Sequence, residues 1–337
     1  MIITRTPLRI TFVGGGTDIK SFFSYEPGAA INAAINKYVY VTVNKRFDNG
    51  IRLKYSKTEN SATIDEIEHP LFREALRYVG IKDHVEISSH ADIPSRGSGL
   101  GSSSAFLVGL LHALYAYKGE FKTPAEIAKA AVHIERNILG EHGGLQDQYI
   151  TAYGGLRYME FHEDGVQVSH IYTKSQTMQQ LQNRLMLFYT GITRKSSEIQ
   201  KSTTGNIPIN MDRLRMIKWQ ALRMRDELQQ GNHEVVGKML HEYWQSKRQL
   251  ADSISNGEID EYYEKAINAG AIGGKILGAG GGGFFLFYVP EDKREAVTEA
   301  LQPLRHVPFT FEREGTKVIY VADNFSAEPD NLGDHSG

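Results

Sequence analysis

The chain has 337 residues, room for about two domains of ordinary size. Its 38 Lys and Arg nearly balance 40 Asp and Glu, and the net charge of −2 excludes the basic footprint of a nucleic-acid binder and a long solvating tail of one sign. There are no cysteines, which excludes disulfides, thiolate metal sites and a thiol nucleophile, and suits a reducing cytoplasm.

From the N-terminus, ITRTPLRITFVG alternates with period 2 and runs into glycines, which predicts a strand entering a turn. It lacks the basic region and long apolar core of a signal peptide. Residues 38–45 and 84–89 read as further strands, and 106–117 has helical periodicity. Residues 124–139 are predicted as a helix, capped by Thr123, opened by Pro124 and ended by Gly140. Strands are expected at 155–161 and 185–189. A composition shift across 175–182 predicts a boundary, dividing a domain at 1–178 from one at 179–323. Two long amphipathic helices follow at 211–230 and 233–254, then a strand at 284–289, a helix at 292–304 and a last strand at 317–321. Residues 324–337 have no periodic pattern and are expected to fray. No apolar run approaches the ~20 residues that span a bilayer, so a soluble cytoplasmic chain is expected. Strands and helices without steady β-α alternation predict an α+β fold.

The junction PSRGSGLGSSSAF carries the strongest local signal. Gly97, Gly99 and Gly101 alternate with other residues directly before an apolar helix. Glycine lets backbone approach a ligand, and a helix N-terminus offers free N–H groups at the positive end of the dipole, so the junction suits a phosphate. Ser102, Ser103 and Ser104 add hydroxyls that can cap the helix, meet a cation or bond phosphate oxygens. A flexible linker ending in an ordinary serine cap would use the same residue types. No Walker A loop, HRD, DFG or HExxH pattern occurs. GAGGGG at 278–283 formally satisfies a dinucleotide fingerprint, but the FFLFYV after it reads as a strand where that fingerprint opens a helix.

Three stretches together carry a resemblance. PSRGSGLGSSSA resembles the phosphate loop of the GHMP kinases, the superfamily of galactokinase, homoserine kinase, mevalonate kinase and phosphomevalonate kinase. RTPLRITFVGGGTD resembles that family's first motif, and KILGAGGGGFF, with Gly278, Gly280, Gly281 and Gly282, resembles its third. All three occur in the family's order and span nearly the whole chain. The resemblance implies an N-terminal domain like ribosomal protein S5 domain 2, a ferredoxin-like C-terminal domain and an active site between them. It implies ATP and Mg2+ as cofactors, with the phosphates on Gly97, Ser98, Gly99, Gly101, Ser102, Ser103 and Ser104, and the metal on Ser103 and Glu135. Read alone, Glu135 is also compatible with a solvated helix carboxylate beside Arg136 or Lys129. By the same resemblance Asp147 orients or deprotonates the acceptor hydroxyl, and Arg9 offsets charge near the acceptor oxygen. Read alone, Asp147 is a turn aspartate and Arg9 a surface arginine of an edge strand. Gln148 is expected to be structural or to touch substrate. Gly15, Gly16, Thr17, Asp18 and Gly144 are expected around the substrate.

One departure bears on the substrate. Galactokinases carry a Glu-His pair before Thr-Asp, whereas Gly15 and Gly16 stand here, which is expected to open room and remove galactose-type contacts. RTPLR-x-TF-x-GGGTD with GAAINAAINKYVYVTV is most similar to the heptose 7-phosphate kinases of the family. That implies a phosphorylated sugar as partner, phosphorylated again on its anomeric 1-hydroxyl for GDP-heptose and surface polysaccharide synthesis. Such a substrate needs a second anion site. TGITRKSSEI offers Arg194 and Lys195 at a helix start, with Arg5 and Lys20 as other candidates. An L-fucose or other free-sugar 1-kinase and a non-catalytic sugar sensor are the alternatives. No nucleic-acid or membrane partner is expected, and a homodimer is compatible with the sequence.

Overall fold

The computed structural model describes residues 1–93, 97–192 and 196–322. The strands are β1 (Ile2–Val13), β2 (Gly28–Lys45), β3 (Ile51–Lys54), β4 (Thr58–Ser61), β5 (Val85–Ala91), β6 (Leu156–His162), β7 (Gly165–His170), β8 (Leu185–Tyr189), β9 (Gly273–Ile276), β10 (Phe284–Tyr288), β11 (Arg305–His306) and β12 (Lys317–Val321). The helices are α1 (Lys20–Phe23), α2 (Pro70–Val79), α3 (Ser102–Tyr117), α4 (Pro124–Val132), α5 (Gln146–Tyr153), α6 (Ser175–Arg184), α7 (Ser196–Gly205), α8 (Met211–Gln230), α9 (Val235–Lys247), α10 (Gly257–Asn268) and α11 (Arg294–Ala300).

The first sheet runs β12-β1-β2-β5-β3-β4, with β6 also on β2 and β7 on β6. Its organising strand is β2, which pairs with β1 along one edge. Along the other edge its first half pairs with β6 and its second half with β5. The sequence suggested a strand only from residue 38, but GAAINAAI is fully buried and already extended from Gly28. Alanine favours helices in isolation; pairing on both edges and burial on both faces decide otherwise. Helix α3 is apolar nearly all round and lies against β1 and β2.

The second sheet is antiparallel in the order β11-β8-β10-β9. Numbered along the chain, that is the 4-1-3-2 arrangement of a ferredoxin-like β-α-β-β-α-β unit, with α7 to α10 in the first crossover and α11 in the second. The α+β architecture is thus as expected.

Two expectations need correction. The boundary at 178/179 falls inside α6, and β12 returns to pair with β1, so 179–323 is not one spatial unit. The outer edge of β1 would otherwise present unpaired N–H and C=O groups, which β12 covers. The tail from 324 lies outside the described residues. The helix expected at 124–139 opens with a full capping box between Thr123 and Glu126, but from His133 to Ile138 it widens into a π-helix. That widened turn carries Glu135.

Candidate active site

Gly101 adopts a left-handed conformation and starts α3 without any side-chain cap. The first N–H groups of a long helix are therefore left to a ligand. The loop before it is shaped from within: the Ser98 and Ser102 hydroxyls bond each other at 2.9 Å, and Ser98 Oγ accepts from the Leu100 N–H at 3.3 Å. Glycine is needed at 99 for contact. A Cβ there would lie 2.6 Å from the Leu277 carbonyl oxygen, and one at Gly278 would lie 2.6 Å from Gly99 Cα. The third glycine run therefore braces the 97–101 loop, backbone against backbone, which explains Gly278 without a dinucleotide.

On one side of α3's start lies a cavity of about 690 Å³, bordered by Ser102, Ser103, Tyr55, His69, Phe72 and Phe106. Its aromatic rings touch edge to face, Tyr55 to His69 at 4.9 Å and Phe72 to Phe106 at 4.9 Å between centroids. The sequence reading found no residue of this aromatic wall. Its members come from α2, α3 and the β3–β4 turn, and nothing in their spacing marks them as neighbours.

Glu135 is almost wholly buried, and burial pushes its carboxyl above the usual range. Its oxygens accept from the Gln148 amide and from Ser104 Oγ, at 3.2 and 3.4 Å, with Arg136 at 3.7 Å. Ser104 makes this contact, whereas Ser103 is exposed one position earlier on the helix. The side chains of consecutive helical residues point about 100° apart, so Ser104 turns inward to Glu135 while Ser103 borders the aromatic cavity. The side-chain oxygen of Gln148 is buried without a partner. A carboxylate, a hydroxyl and an orphan amide oxygen make an all-oxygen donor set that fits a Mg2+ ion completing its shell with water and phosphate. Among the described residues no group of three or more His, Cys, Asp or Glu forms a metal cage.

On the other side of the loop lies a second cavity of about 90 Å³. Arg9 and Asp147 form a bidentate pair at its mouth, Nε to Oδ1 at 2.7 Å and Nη2 to Oδ2 at 2.6 Å. Arg9 Nη1 also donates to the Gly99 carbonyl. The pair lies against Gly101: a Cβ there would sit 3.1 Å from Arg9 Cγ and 3.4 Å from Asp147 Oδ2. Asp18 is buried in the same wall, held by the N–H groups of Gly16 at 3.1 Å and Gln146 at 3.3 Å. Burial, then the charge of Asp147, raises its pKa. Gly144 gives Asp18 space, since a Cβ there would lie 1.8 Å from Asp18 Oδ2.

The C-terminal half supplies two buried lysines that sequence reading missed. Lys247 donates to the carbonyl of Gly278 at 2.5 Å, and desolvation followed by the Arg9 charge lowers its pKa to about 7. Lys275 donates to the Thr11 carbonyl at 2.8 Å and lies 4.6 Å over the Tyr243 ring. Desolvation, then Lys247, pushes it well below the ordinary lysine value.

Several expected residues are placed elsewhere. The Thr17 hydroxyl is spent on backbone, donating to Gly14 O at 2.8 Å and accepting from the Ala29 N–H at 3.0 Å, so it holds the turn and does not face the cavity. Gly15 and Gly16 line the cavity, but they open no room. Tyr243 Oη would lie 2.9 Å from a Cβ at 15, and Leu214 Cδ2 3.0 Å from one at 16. Arg5 is bound to Glu312 and Glu314 away from the site. Lys20 is exposed on α1 and does not border the cavity. Arg194 and Lys195 lie outside the described residues.

An uncapped helix start thus lies beside two cavities, with a buried carboxylate bonded to a serine of that helix and an arginine-aspartate pair lining the smaller cavity. The chain belongs to the GHMP kinases, transferases for which ATP binding is characteristic: residues 68–155 match the GHMP kinases N terminal domain and 224–304 the GHMP kinases C terminal domain. A D-glycero-alpha-D-manno-heptose 7-phosphate kinase of Campylobacter jejuni is 32% identical over 334 residues, covering 94% of this chain and 98% of that protein. An L-fucokinase/L-fucose-1-P guanylyltransferase of Bacteroides fragilis is 28% identical over 87% of this chain and 35% of its own length. The crystal structure of a D-glycero-D-manno-heptose 1-phosphate kinase from Bacteriodes thetaiotaomicron aligns with TM-score 0.79 and 25% identity, covering 96% of this chain and 100% of that one. No helix among the described residues is long and apolar enough to cross a membrane.

Proposed function

We propose that this chain is an ATP-dependent sugar kinase that phosphorylates the anomeric 1-hydroxyl of D-glycero-D-manno-heptose 7-phosphate. The observation that carries the reading is the Arg9–Asp147 pair, packed on Gly101 between an uncapped helix start and a small cavity rich in ionisable side chains. The Campylobacter relative, named as a heptose 7-phosphate kinase, supports this substrate, and the Bacteriodes structure, named as a heptose 1-phosphate kinase, supports a heptose acceptor.

In this reading the aromatic cavity takes the adenine and the first turn of α3 takes the polyphosphate. Glu135, Ser104 and Gln148 would hold Mg2+, which when bound offsets phosphate charge. Bidentate pairing uses two of the roughly four lone-pair positions of Asp147, so a further one can accept the acceptor's O–H. The acceptor oxygen bonds the γ-phosphorus as the bond to the β,γ-bridging oxygen breaks. ADP leaves with that oxygen, and the acceptor's proton passes to Asp147. Arg9 offsets the charge spread over the transferring group. Asp18, held by two N–H groups, is placed to accept from sugar hydroxyls. The product would serve GDP-heptose and surface polysaccharide synthesis in the cytoplasm.

A second reading, an L-fucose 1-kinase, has one observation in its favour besides the Bacteroides fragilis relative. Arg136, a described cation in the cavity wall, already donates to the carbonyls of Gly144, Glu141 and His142. A distal phosphate would then depend on Arg194 and Lys195. The deciding experiment incubates the protein with Mg2+-ATP and heptose 7-phosphate, L-fucose or galactose, scoring ADP and the position of the new phosphate. ADP from the heptose 7-phosphate with a new 1-phosphate is expected; ADP from L-fucose alone would transfer the assignment to the second reading.

A further inference from the structure

Tyr243 is fully buried and borders the acceptor cavity, yet its hydroxyl has no hydrogen-bond partner among the described residues. The Gly15 N–H lies close enough to ease the phenol's ionisation, though burial dominates and raises its pKa, and the pair is outside hydrogen-bonding geometry. A buried hydroxyl without a partner is costly to a fold, so an orphan on a side chain that lines a cavity is a group waiting for a ligand. The ring is held in place by Lys275 over its face and by α9, whose Lys247, one turn further on, borders the same cavity.

Gly15 is the second, independent observation. Its backbone is not in the left-handed region, so conformation alone would admit a side chain there. What forbids one is Tyr243 Oη, 2.9 Å from the point a Cβ would occupy, with Gln146 Nε2 at 3.6 Å. The bare backbone of the first-motif loop and the phenol of the C-terminal half are therefore a matched pair: one yields the space that the other fills with a polar group. Asp18, held by the N–H groups of Gly16 and Gln146, lines the same cavity. A hydroxylated acceptor in this cavity meets a wall that includes both a carboxylate and a phenol.

Resting on the sugar-kinase reading, we propose that Tyr243 determines acceptor specificity by hydrogen-bonding a hydroxyl of the sugar, and that Gly15 is glycine in order to admit it. The acceptor hydroxyl and the phenol oxygen can each donate or accept, so the pair needs no particular ionisation.

The test compares wild type, Tyr243→Phe, Gly15→Ala and the double variant in steady-state kinetics with heptose 7-phosphate and L-fucose, varying acceptor and ATP separately. Tyr243→Phe keeps the ring and is expected to hold or raise Tm, since it removes an unpaired buried group. Its KM for the acceptor should rise about tenfold or more, with the KM for ATP unchanged. Gly15→Ala should impair acceptor use more strongly, and adding Tyr243→Phe should restore part of that loss, a coupling that two separate structural defects would not show. An acceptor KM in Tyr243→Phe within twofold of wild type, on a sugar that wild type phosphorylates, would overturn the role of Tyr243 and leave the kinase reading standing. ADP from none of the sugars with wild type would overturn both.

Discussion

The two cavities flanking the phosphate loop are built by different means. The larger is a single-domain feature: aromatic rings from α2 and α3 and the β3–β4 turn, all within the first 106 residues, lie beside an uncapped helix start. The smaller is assembled from both halves of the chain, with Arg9, Asp18 and Asp147 from one and Tyr243, Lys247 and Lys275 from the other. One is wide and lined by aromatic rings, serines and a single carboxylate, Asp92; the other is narrow and concentrates buried and half-buried ionisable groups of both kinds. A nucleotide recognised by stacking and by backbone N–H groups needs few charged side chains, whereas an acceptor must meet a proton acceptor and enough positive charge in one small space.

The largest effect should come from the acceptor side. Asp147→Asn keeps the shape and loses the carboxylate; turnover is expected to fall by about 10²–10⁴ with the KM for ATP unchanged. Near-wild-type turnover would show that Asp147 only positions. Glu135→Gln acts on the nucleotide side and should raise the Mg2+ concentration for half-maximal rate about tenfold or more, since even groups one shell removed from a metal cost that much. An unchanged metal titration would remove Glu135 from the site. Ser104→Ala should move the same titration in the same direction by less, and more than Ser103→Ala does; the reverse order would restore Ser103 as the metal's serine.

The smallest effect is on stability. Lys247 titrates at about 7 in the fold, while its ordinary value is 10.5. Between these values the unfolded chain binds the extra proton, so this group makes the free protein more stable as pH rises. The slope has an upper limit of about 1.4 kcal/mol per pH unit. Lys275 acts in the same direction, facing Lys247, Arg9 and Asp147. The raised carboxyls of Asp18 and Glu135 act oppositely, giving stability at low pH that is lost as pH rises through their folded values. Comparing Tm of wild type and Lys247→Met from pH 7 to 9 isolates the lysine: the difference should move in favour of wild type as pH rises. Parallel curves would mean that Lys247 stays charged.

The nucleotide side was legible where the sequence is contiguous. The glycines and serines at 97–104 announce a helix start without a ligand in view, because both loop and helix are local. Glu135 and Asp147 were legible only through the family resemblance, since a helix glutamate and a turn aspartate are ordinary. The π-helix that turns Glu135 inward has no local signal. Ser103 and Ser104 differ only by a helical rotation that a loop-helix junction leaves open. Thr17 reads as a ligand residue in a motif and proves to be a backbone clasp. Tyr243, Lys247 and Lys275 were invisible because α9 reads as an ordinary amphipathic helix, and only tertiary packing turns that face toward Gly15. The sheet order fails to show in sequence for the same reason: β12 completes the first sheet from the far end of the chain.

The most direct measurement is a crystal structure of the protein with Mg2+ and a non-hydrolysable ATP analogue. Adenine among Tyr55, Phe72 and Phe106, with the γ-phosphate at the start of α3 facing Asp147, is the expected result. Adenine elsewhere, or a terminal phosphate turned away from the Arg9–Asp147 pair, would contradict it.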